Sequence, residues 1–311
     1  MRNEPEISND YVQRLNRVVD HVLAHLTEPL SLEAVAHEAG FSPFHFHRIF
    51  HSMLGETLHQ FVRRLRLERA LKRKSFEPDR TLTDIALECG FGSSSDFSRS
   101  FKKVYGVPPS QFDVDLWRTS KRDAWRQAVD GPGTNRFEHL PKEANPDGFV
   151  AEVRELPPRI VAYIRVIDSY RPDAVAGAYE RLMAWADARG FGDGQWLGYM
   201  WDDPDIVPHE KCRYDAAVVL PESETSLEAD GEVGRLRFPA MTVGECEIRG
   251  TLDVESRAID WMFRTWLPRS GFVPSDQPCF EVWNGRPFAH GVEHFEIAMH
   301  LPVEPATPFG R

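Results

Sequence analysis

An internal repeat constrains the first third of the chain more strongly than any other feature of the sequence. Two segments recur about fifty residues apart, and chance rarely produces such a repeat. Each copy predicts a helix, a glycine-containing turn and a second helix, which is the plan of a helix-turn-helix unit. The matching positions are Leu32 with Leu82, Ala36 with Ala86, Gly40 with Gly90, Phe41 with Phe91, Phe46 with Phe97, Arg48 with Arg99, Phe50 with Phe101 and Gly55 with Gly106.

Local signals predict where the helices of both copies begin. Ser31 and Thr81 each precede a helical pattern and predict N-caps, and Pro43 predicts the first turn of the second helix in the first copy. A basic helix from Thr57 to about Ser75 joins the copies. At about 1.5 Å rise per residue this helix spans about 28 Å, which can separate two recognition helices by roughly the 34 Å of one DNA turn.

Charge is divided unevenly along the chain. The net charge is −11, but residues 1–126 contain 19 Lys and Arg against 17 Asp and Glu, whereas residues 127–311 contain 18 against 31. The first part is therefore +2 and the second −13. This asymmetry indicates a nucleic-acid domain joined to a domain with another role.

The two repeated segments resemble a known family. The sequences GFSPFHFHRIFHSMLG (40–55) and GFGSSSDFSRSFKKVYGVPPSQF (90–112) are similar to AraC/XylS-type regulators. The resemblance implies an all-α domain of seven helices over residues 10–118, with two recognition helices in successive major grooves. It implies double-stranded DNA at an operator or promoter as a partner, and RNA polymerase is a further candidate partner.

The same resemblance predicts which residues face DNA. Arg48 can form a fork to guanine, and Phe44 can contact a thymine methyl group. The three serines of the second recognition helix are poor base readers, which favours phosphate contacts or tolerance of varied bases. The alternative is that Arg48 and Arg99 pair with nearby acids. The full predicted set is Phe44, His47, Arg48, Ser94, Ser95, Ser98 and Arg99, with Lys102 and Lys103 as phosphate binders.

The basic helix between the repeats has two interpretations. Its side chains are expected to divide about evenly between phosphate contacts and salt bridges within the protein. The residues concerned are Arg63, Arg64, Arg66, Arg69, Lys72, Arg73 and Lys74.

A second domain is predicted over residues 148–305, after a linker at 119–147 that is rich in turn dipeptides. Strand and helix patterns alternate there, as in an α+β fold. A faint repeat of about eighty residues, in which Tyr214 matches Phe295 and Leu220 matches Leu301, predicts two βαββ units with antiparallel pairing and a pseudo-two-fold axis.

This second domain resembles the GyrI-like effector-binding domain. Four segments carry the resemblance: 202–204 (DDP), 213–216 (RYDA), 280–283 (FEVW) and 296–302 (EIAMHLP). The resemblance implies a groove between the two halves that takes hydrophobic, often cationic, molecules.

Glu281 is the predicted centre of the effector site. Alternation along a strand places Glu281 and Trp283 on one face, and the repeat predicts Tyr199 and Trp201 at equivalent positions. A buried carboxylate needs a partner, and a cationic ligand could supply it with help from aromatic faces. The alternative is that Glu281 pairs with an arginine or faces water. Tyr163 and Tyr170 are further candidates.

Other classes of protein are disfavoured. The four cysteines are scattered, which predicts reduced thiols, and neither a metal nor a cofactor is expected. His290, Glu293 and His294 match a metalloprotease pattern, but that motif requires a helix, and here a strand is predicted. A polar N-terminus and the lack of a long apolar run predict a cytoplasmic protein that does not contact membranes.

The sequence thus predicts a ligand-responsive, DNA-binding transcription regulator that is not an enzyme. Two alternatives stay open for the second domain. One is hydrolysis of small electrophilic molecules with Glu281 as general acid or base. The other is binding of a protein partner.

Overall fold

The computed structural model of the chain describes residues 9–129, 140–141, 143–224, 230–291 and 294–306. Contacts divide these residues into two units, one built mainly from residues up to Phe112 and one mainly from residues after it. Glu293, which the metalloprotease pattern requires, lies outside the described residues.

Helices form the first unit up to Phe112, which confirms the predicted all-α fold of this part of the chain; residues 230–236 also group with it. The helices are α1 (Asn9–Ala24), α2 (Leu32–Glu38), α3 (Pro43–Leu54), α4 (Leu58–Phe76), α5 (Leu82–Glu88) and α6 (Ser94–Tyr105), followed by a 3-10 turn (Pro109–Gln111).

A seventh helix, α7 (Val114–Val129), groups with the second unit. It extends into the predicted linker, since residues 119–129 are helical. This stretch has no glycine or proline to stop a helix; the first such signals are Gly131 and Pro132. The boundaries at 118 and 148 stay predictions.

The helix starts follow the predicted caps. Ser31 Oγ accepts a hydrogen bond from Ala34 N at 3.1 Å, and Thr81 Oγ1 accepts one from Asp84 N at 3.1 Å. Helix α3 begins at Pro43, as predicted. Ser42 and Ser93 cap α3 and α6 in the same way, so the repeat extends to all four caps.

Glycine is required in the turn of the second helix-turn-helix unit. Gly90 has a φ of +85°, a left-handed conformation that side chains disfavour. A Cβ there would also lie 2.9 Å from Thr27 Cα and from Arg66 Nε. Gly40, its partner in the repeat, has a φ of +67°, so both units use the same turn.

Phenylalanines at the repeated positions form the core of the first unit. Phe50 lies between Phe46 and Phe61, with ring centroids 5.3 and 5.5 Å away, and Phe97 and Phe101 contact each other at 5.6 Å. All five are almost fully buried. This packing turns the opposite faces of α3 and α6 towards solvent.

One nine-stranded antiparallel sheet forms the second unit. The helices are α8 (Ala174–Asp187), α9 (Leu252–Trp261), a π-helical stretch (Met262–Trp266) and α10 (Leu267–Ser270), with a 3-10 turn at His209–Lys211. The strands are β1 (Glu152–Leu156), β2 (Arg159–Ile167), β3 (Trp196–Met200), β4 (Arg213–Leu220), β5 (Gly234–Phe238), β6 (Met241–Gly250), β7 (Phe272–Pro274), β8 (Cys279–Trp283) and β9 (Phe295–Pro305).

The strand order confirms the two predicted βαββ repeats. The sheet runs β1-β6-β9-β8-β3-β4-β2-β5, with β7 also paired to β9. Its six central strands are related by a pseudo-two-fold axis between β3 and β8, which exchanges β2-α8-β3-β4 with β6-α9-β8-β9. The strand before each repeat joins the opposite half, since β1 pairs with β6 and β5 lies beside β2.

None of the helices in the described ranges is long and apolar enough to cross a membrane.

Candidate functional site

Glu281 lies in the middle of the sheet, on the face that carries α8 and α9. Its side chain is 7% exposed, and its Oε2 accepts a hydrogen bond from the Tyr214 hydroxyl at 2.8 Å. Gly198 of β3 is directly opposite Glu281 across the pseudo-two-fold axis. Because Gly198 has no side chain, the Tyr214 ring occupies the space above it.

A hydrogen-bonded aromatic cluster surrounds this carboxylate. Tyr179 of α8 donates its hydroxyl proton to Leu197 O at 2.8 Å and accepts from Trp283 Nε1 at 2.9 Å. The hydroxyls of Tyr179 and Tyr214 are 3.0 Å apart. Burial raises the pKa of both tyrosines, so both stay protonated donors at neutral pH.

A second buried carboxylate completes the site. Glu255 of α9 is also 7% exposed, and its carboxyl group shares a hydrogen bond with Glu281. Burial raises the pKa of both, and for Glu255 the negative charge of Glu281 adds to this effect. Within the described ranges, neither acid forms an ion pair with an arginine, lysine or histidine. The pair therefore holds at least one proton at neutral pH, and the negative charge that Glu281 gains on ionisation has no cationic partner in the described residues.

Two predicted members of the site lie on the wrong face of the sheet for contact with Glu281. Tyr199 pairs with Phe280, the neighbour of Glu281, and therefore points to the opposite side. Trp201 donates from Nε1 to Asp215 on that same side, at 2.7 Å. The predicted equivalence between the repeats was shifted by one residue, which reverses the face of every side chain.

Of the other residues predicted for the effector site, one lies beside Glu281 and two do not. Trp283 is next to Glu281 on the same face, as predicted. Tyr163 is buried on the face of Tyr199, and Tyr170 lies outside the strands, where it stacks on His209 with ring centroids 4.5 Å apart. The alternative for Glu281, an arginine partner or exposure to water, is not what the structure shows.

Sequence reasoning missed Tyr179, Tyr214 and Glu255. In the sequence, Tyr214 stands out only as a position of the faint repeat and of the 213–216 motif. Glu255 carried a usable signal, since it precedes Ala258 and Met262 by three and seven residues, and both are buried. An acid at an apolar-face position of a helix indicates a buried partner.

In the first unit, the structure places the predicted base-reading residues of α3 on its solvent side. Phe44 is 74% exposed, and His47 and Arg48 are also exposed. The Arg48 guanidinium lies 5.9 Å from the Phe44 ring centroid. Arg48 makes no ion pair with any acid in the described ranges, so the alternative role suggested for it has no support here.

Helix α6 presents its predicted residues similarly. Ser95, Arg99, Lys102 and Lys103 are exposed, whereas Ser94 and Ser98 are partly covered. Arg99 likewise has no carboxylate partner within the described part of the chain. Contact of these side chains with DNA stays a prediction.

The basic helix α4 is engaged mainly within the protein. Arg63 reaches Asp96 of α6 at 3.1 Å and Ser100 Oγ at 2.6 Å, and Arg64 contacts Glu56 at 2.7 Å. The expected even division thus shifts towards internal contacts. Further partners are Leu26 O and Glu28 O for Arg66, Glu88 for Arg73 and Phe112 O for Lys74.

Comparison with known proteins gives two matches, one on each side of the division near Phe112. Residues 35–113 match the model of a helix-turn-helix domain, and residues 151–304 match that of a GyrI-like small molecule binding domain.

Relatives resemble the first part of the chain. The probable transcription factor PqrA of Proteus vulgaris is 39% identical over 85 residues, which is 27% of this chain and 69% of PqrA. The uncharacterized HTH-type transcriptional regulator YbfP of Bacillus subtilis is 34% identical over 114 residues, 36% of this chain and 38% of YbfP. The chain therefore spans well under two thirds of YbfP.

Among solved structures, a transcriptional regulator of Chromobacterium violaceum with an AraC-type DNA-binding domain is 28% identical. The match covers 32% of this chain and 87% of that one, with a TM-score of 0.30.

Proposed function

We propose that this chain, which belongs to the AraC-type helix-turn-helix family of transcription regulators and carries a GyrI-like small-molecule binding domain, is a ligand-responsive regulator. Its effector would be a hydrophobic cation. The cation would bind at Glu281. DNA and effector would bias the same conformational equilibrium, so each would change the affinity for the other by the same factor.

The observation that carries the cation proposal is the unbalanced Glu255–Glu281 pair. A buried charge without a counter-ion is costly, and a ligand cation would supply the missing charge. The aromatic rings of Tyr179, Tyr214 and Trp283 offer flat faces to an alkylated or aromatic ammonium group. Since Glu281 is 7% exposed, a ligand that reaches it must displace part of this cover.

For DNA, the proposal rests on the exposed faces of α3 and α6. Helix α3 buries Phe46 and Phe50 and leaves Phe44 exposed, and α6 buries Phe97 and Phe101. Arg48 and Arg99 have no internal carboxylate partner in the described residues. Arg48 would read a base, and Lys102 and Lys103 would contact phosphates. RNA polymerase is a further proposed partner, as expected for a regulator that acts at promoters.

The test compares a cation with a neutral molecule of the same shape. The probes are 3-hydroxyphenyltrimethylammonium and 3-tert-butylphenol, titrated into the full chain and followed by thermal shift and calorimetry. We expect the cation to bind more tightly. Glu281→Gln should weaken the cation about tenfold to a hundredfold, as for a charged hydrogen-bonded partner, and leave the neutral probe unchanged.

Glu247→Gln is the matched control, because Glu247 is an exposed acid on the same sheet and its loss removes the same charge. Equal weakening of both probes by Glu281→Gln would contradict the charge argument. Turnover of a bound electrophile, followed by mass spectrometry, would instead support the hydrolase alternative. If no probe shifts the melting temperature, a protein partner becomes the better interpretation.

A further inference from the structure

On the face of the sheet opposite Glu281, Arg159 has a guanidinium without a carboxylate. Its Cζ lies 4.3 Å from the centroid of the Phe280 ring. Its Nη2 reaches only Met241 Sδ, a weak acceptor, at 3.5 Å, and its Nε is buried without a hydrogen-bond partner. Among the described residues, no acid forms an ion pair with Arg159.

The Tyr199 hydroxyl beside Arg159 is also buried without a hydrogen-bond acceptor in the described part of the chain. Tyr199 is 1% exposed, and its hydroxyl finds no acceptor among the residues that the structure describes. Burial raises the pKa of this hydroxyl, so it remains a donor. Arginine can only donate. The charged guanidinium interacts with the Tyr199 hydroxyl oxygen, but this contact gives the Tyr199 hydroxyl proton no acceptor. Arg159 Nε and that proton are therefore buried donors without an acceptor of good geometry in the described part of the chain, which is rare for buried polar groups that have no bound partner.

Two acids on the same face of the sheet have other partners. Asp215 forms an ion pair with Arg165 at 2.6 Å and accepts from Trp201. Glu245 contacts Arg154 at 2.7 Å and His300 at 2.9 Å. Neither is free to move to Arg159 without breaking a contact of its own, so the described part of the chain offers Arg159 no carboxylate.

The surroundings of the two donors are flat and aromatic. Phe238 stacks on Tyr199 with ring centroids 4.3 Å apart and planes 12° apart, and Trp201 lies beyond it at 6.4 Å. Phe280 forms the wall under Arg159. At the rim, Arg159 and Trp201 are partly exposed, so the guanidinium can be approached from solvent.

We propose that Arg159 and Tyr199 form a second ligand site, one that binds an aromatic monocarboxylate. The guanidinium fork matches a planar carboxylate in bidentate geometry, the Tyr199 hydroxyl supplies one further donor, and the aromatic walls cover the ring of the ligand. The site lies on the opposite face of the sheet from Glu281 and takes a ligand of opposite charge, so it does not depend on the proposed cation site.

The experiment uses the full chain with benzoate and its neutral isostere benzamide as probes, in thermal shift and calorimetric titrations. Benzoate should raise the melting temperature and benzamide should not. Arg159→Met should weaken benzoate about tenfold to a hundredfold and Tyr199→Phe about tenfold or less, as for hydrogen bonds to a charged group. Arg189→Gln is the control, since Arg189 is an exposed arginine that also lies over an aromatic ring, that of Trp185.

A second measurement separates binding from a structural role. Because Arg159→Met removes a partly buried charge that lacks a partner, the variant without ligand should melt no lower than the wild type. Glu281→Gln should leave benzoate affinity unchanged. The proposal is overturned if benzamide and benzoate shift the wild type equally, if Arg159→Met retains benzoate affinity, or if Arg189→Gln loses as much as Arg159→Met.

Discussion

Gly198 lies directly opposite Glu281 in the sheet, and the space left by its missing side chain is where Tyr214 reaches the carboxylate. A Cβ at position 198 would collide with Tyr214 Oη and would lie 2.8 Å from Tyr179 Oη. The hydrogen bond from Tyr214 to Glu281 therefore depends on a glycine one strand away.

This relationship predicts the effect of Gly198→Ala. The new methyl group should displace Tyr214 and lower the free energy of unfolding by about 1–3 kcal/mol, the usual cost of overpacking a core. It should also lower the affinity for the ammonium probe, because Glu281 loses the hydrogen bond from the Tyr214 hydroxyl. Denaturant unfolding and calorimetry measure the two effects.

The control for Gly198→Ala is Gly177→Ala in α8, where a Cβ would meet only Arg181 Nη1 at 3.5 Å. In a helix this change should be neutral or stabilising by up to about 1 kcal/mol. Unchanged probe affinity in Gly198→Ala would show that Tyr214 does not position Glu281.

The Glu255–Glu281 pair predicts opposite pH dependences for stability and for cation binding. Burial raises the pKa of Glu281 from an ordinary 4.5 to about 7, and that of Glu255 rises as well. Because the folded protein holds these protons more tightly than the unfolded chain, the pair contributes to the free energy of unfolding fully below about pH 4.5. This contribution is lost as the pH rises through about 7. Tyr179 and Tyr214, which face the pair, stay protonated throughout this range.

Cation affinity should instead increase with pH up to about 7, by roughly tenfold per unit well below the pKa, since the cation competes with the proton on Glu281. Unfolding and titration between pH 5 and 7.5 test both trends. Glu255→Gln retains a side chain that can donate to Glu281 but removes one acid, so its stability should vary less with pH. Identical pH profiles for this variant and the wild type would exclude the shared proton.

In the first unit, Arg48 and Arg63 should have different roles although both are arginines of helices near the predicted DNA surface. Arg48→Ala should weaken binding to a sequence selected by the wild-type protein by about 1–3 kcal/mol and relax specificity at one base. Its melting temperature should not change, because Arg48 has no carboxylate partner in the described residues.

Arg63→Ala is the contrasting variant. It removes the contacts to Asp96 and Ser100 and should lower the free energy of unfolding by about 1 kcal/mol, as for a partly exposed ion pair. Fluorescence anisotropy at several salt concentrations and thermal unfolding separate the two effects. Loss of stability in Arg48→Ala without loss of sequence preference would remove Arg48 from the predicted DNA surface.

Much of the fold could be predicted from sequence because its signals are local. Ser31 and Thr81 cap the N-termini of their helices, because each hydroxyl accepts a hydrogen bond from the backbone amide three residues ahead. Gly40 and Gly90 mark turns that need a left-handed backbone. Such features depend only on neighbouring residues in the chain, and each helix-turn-helix unit contains them. The two helix-turn-helix units could therefore be predicted from the sequence, and the fainter second repeat likewise predicted the paired βαββ halves.

Tertiary structure decided the composition of the effector site. Whether Tyr199 or Gly198 faces Glu281 depends on strand register, and a shift of one residue exchanges the two faces of the sheet. Glu255 reaches Glu281 only through the packing of α9 on that sheet. Among the described residues Arg159 has no carboxylate, while Asp215 and Glu245 pair with Arg165, Arg154 and His300. Pairing across a sheet and competition for partners join residues far apart in the chain, which no local pattern records.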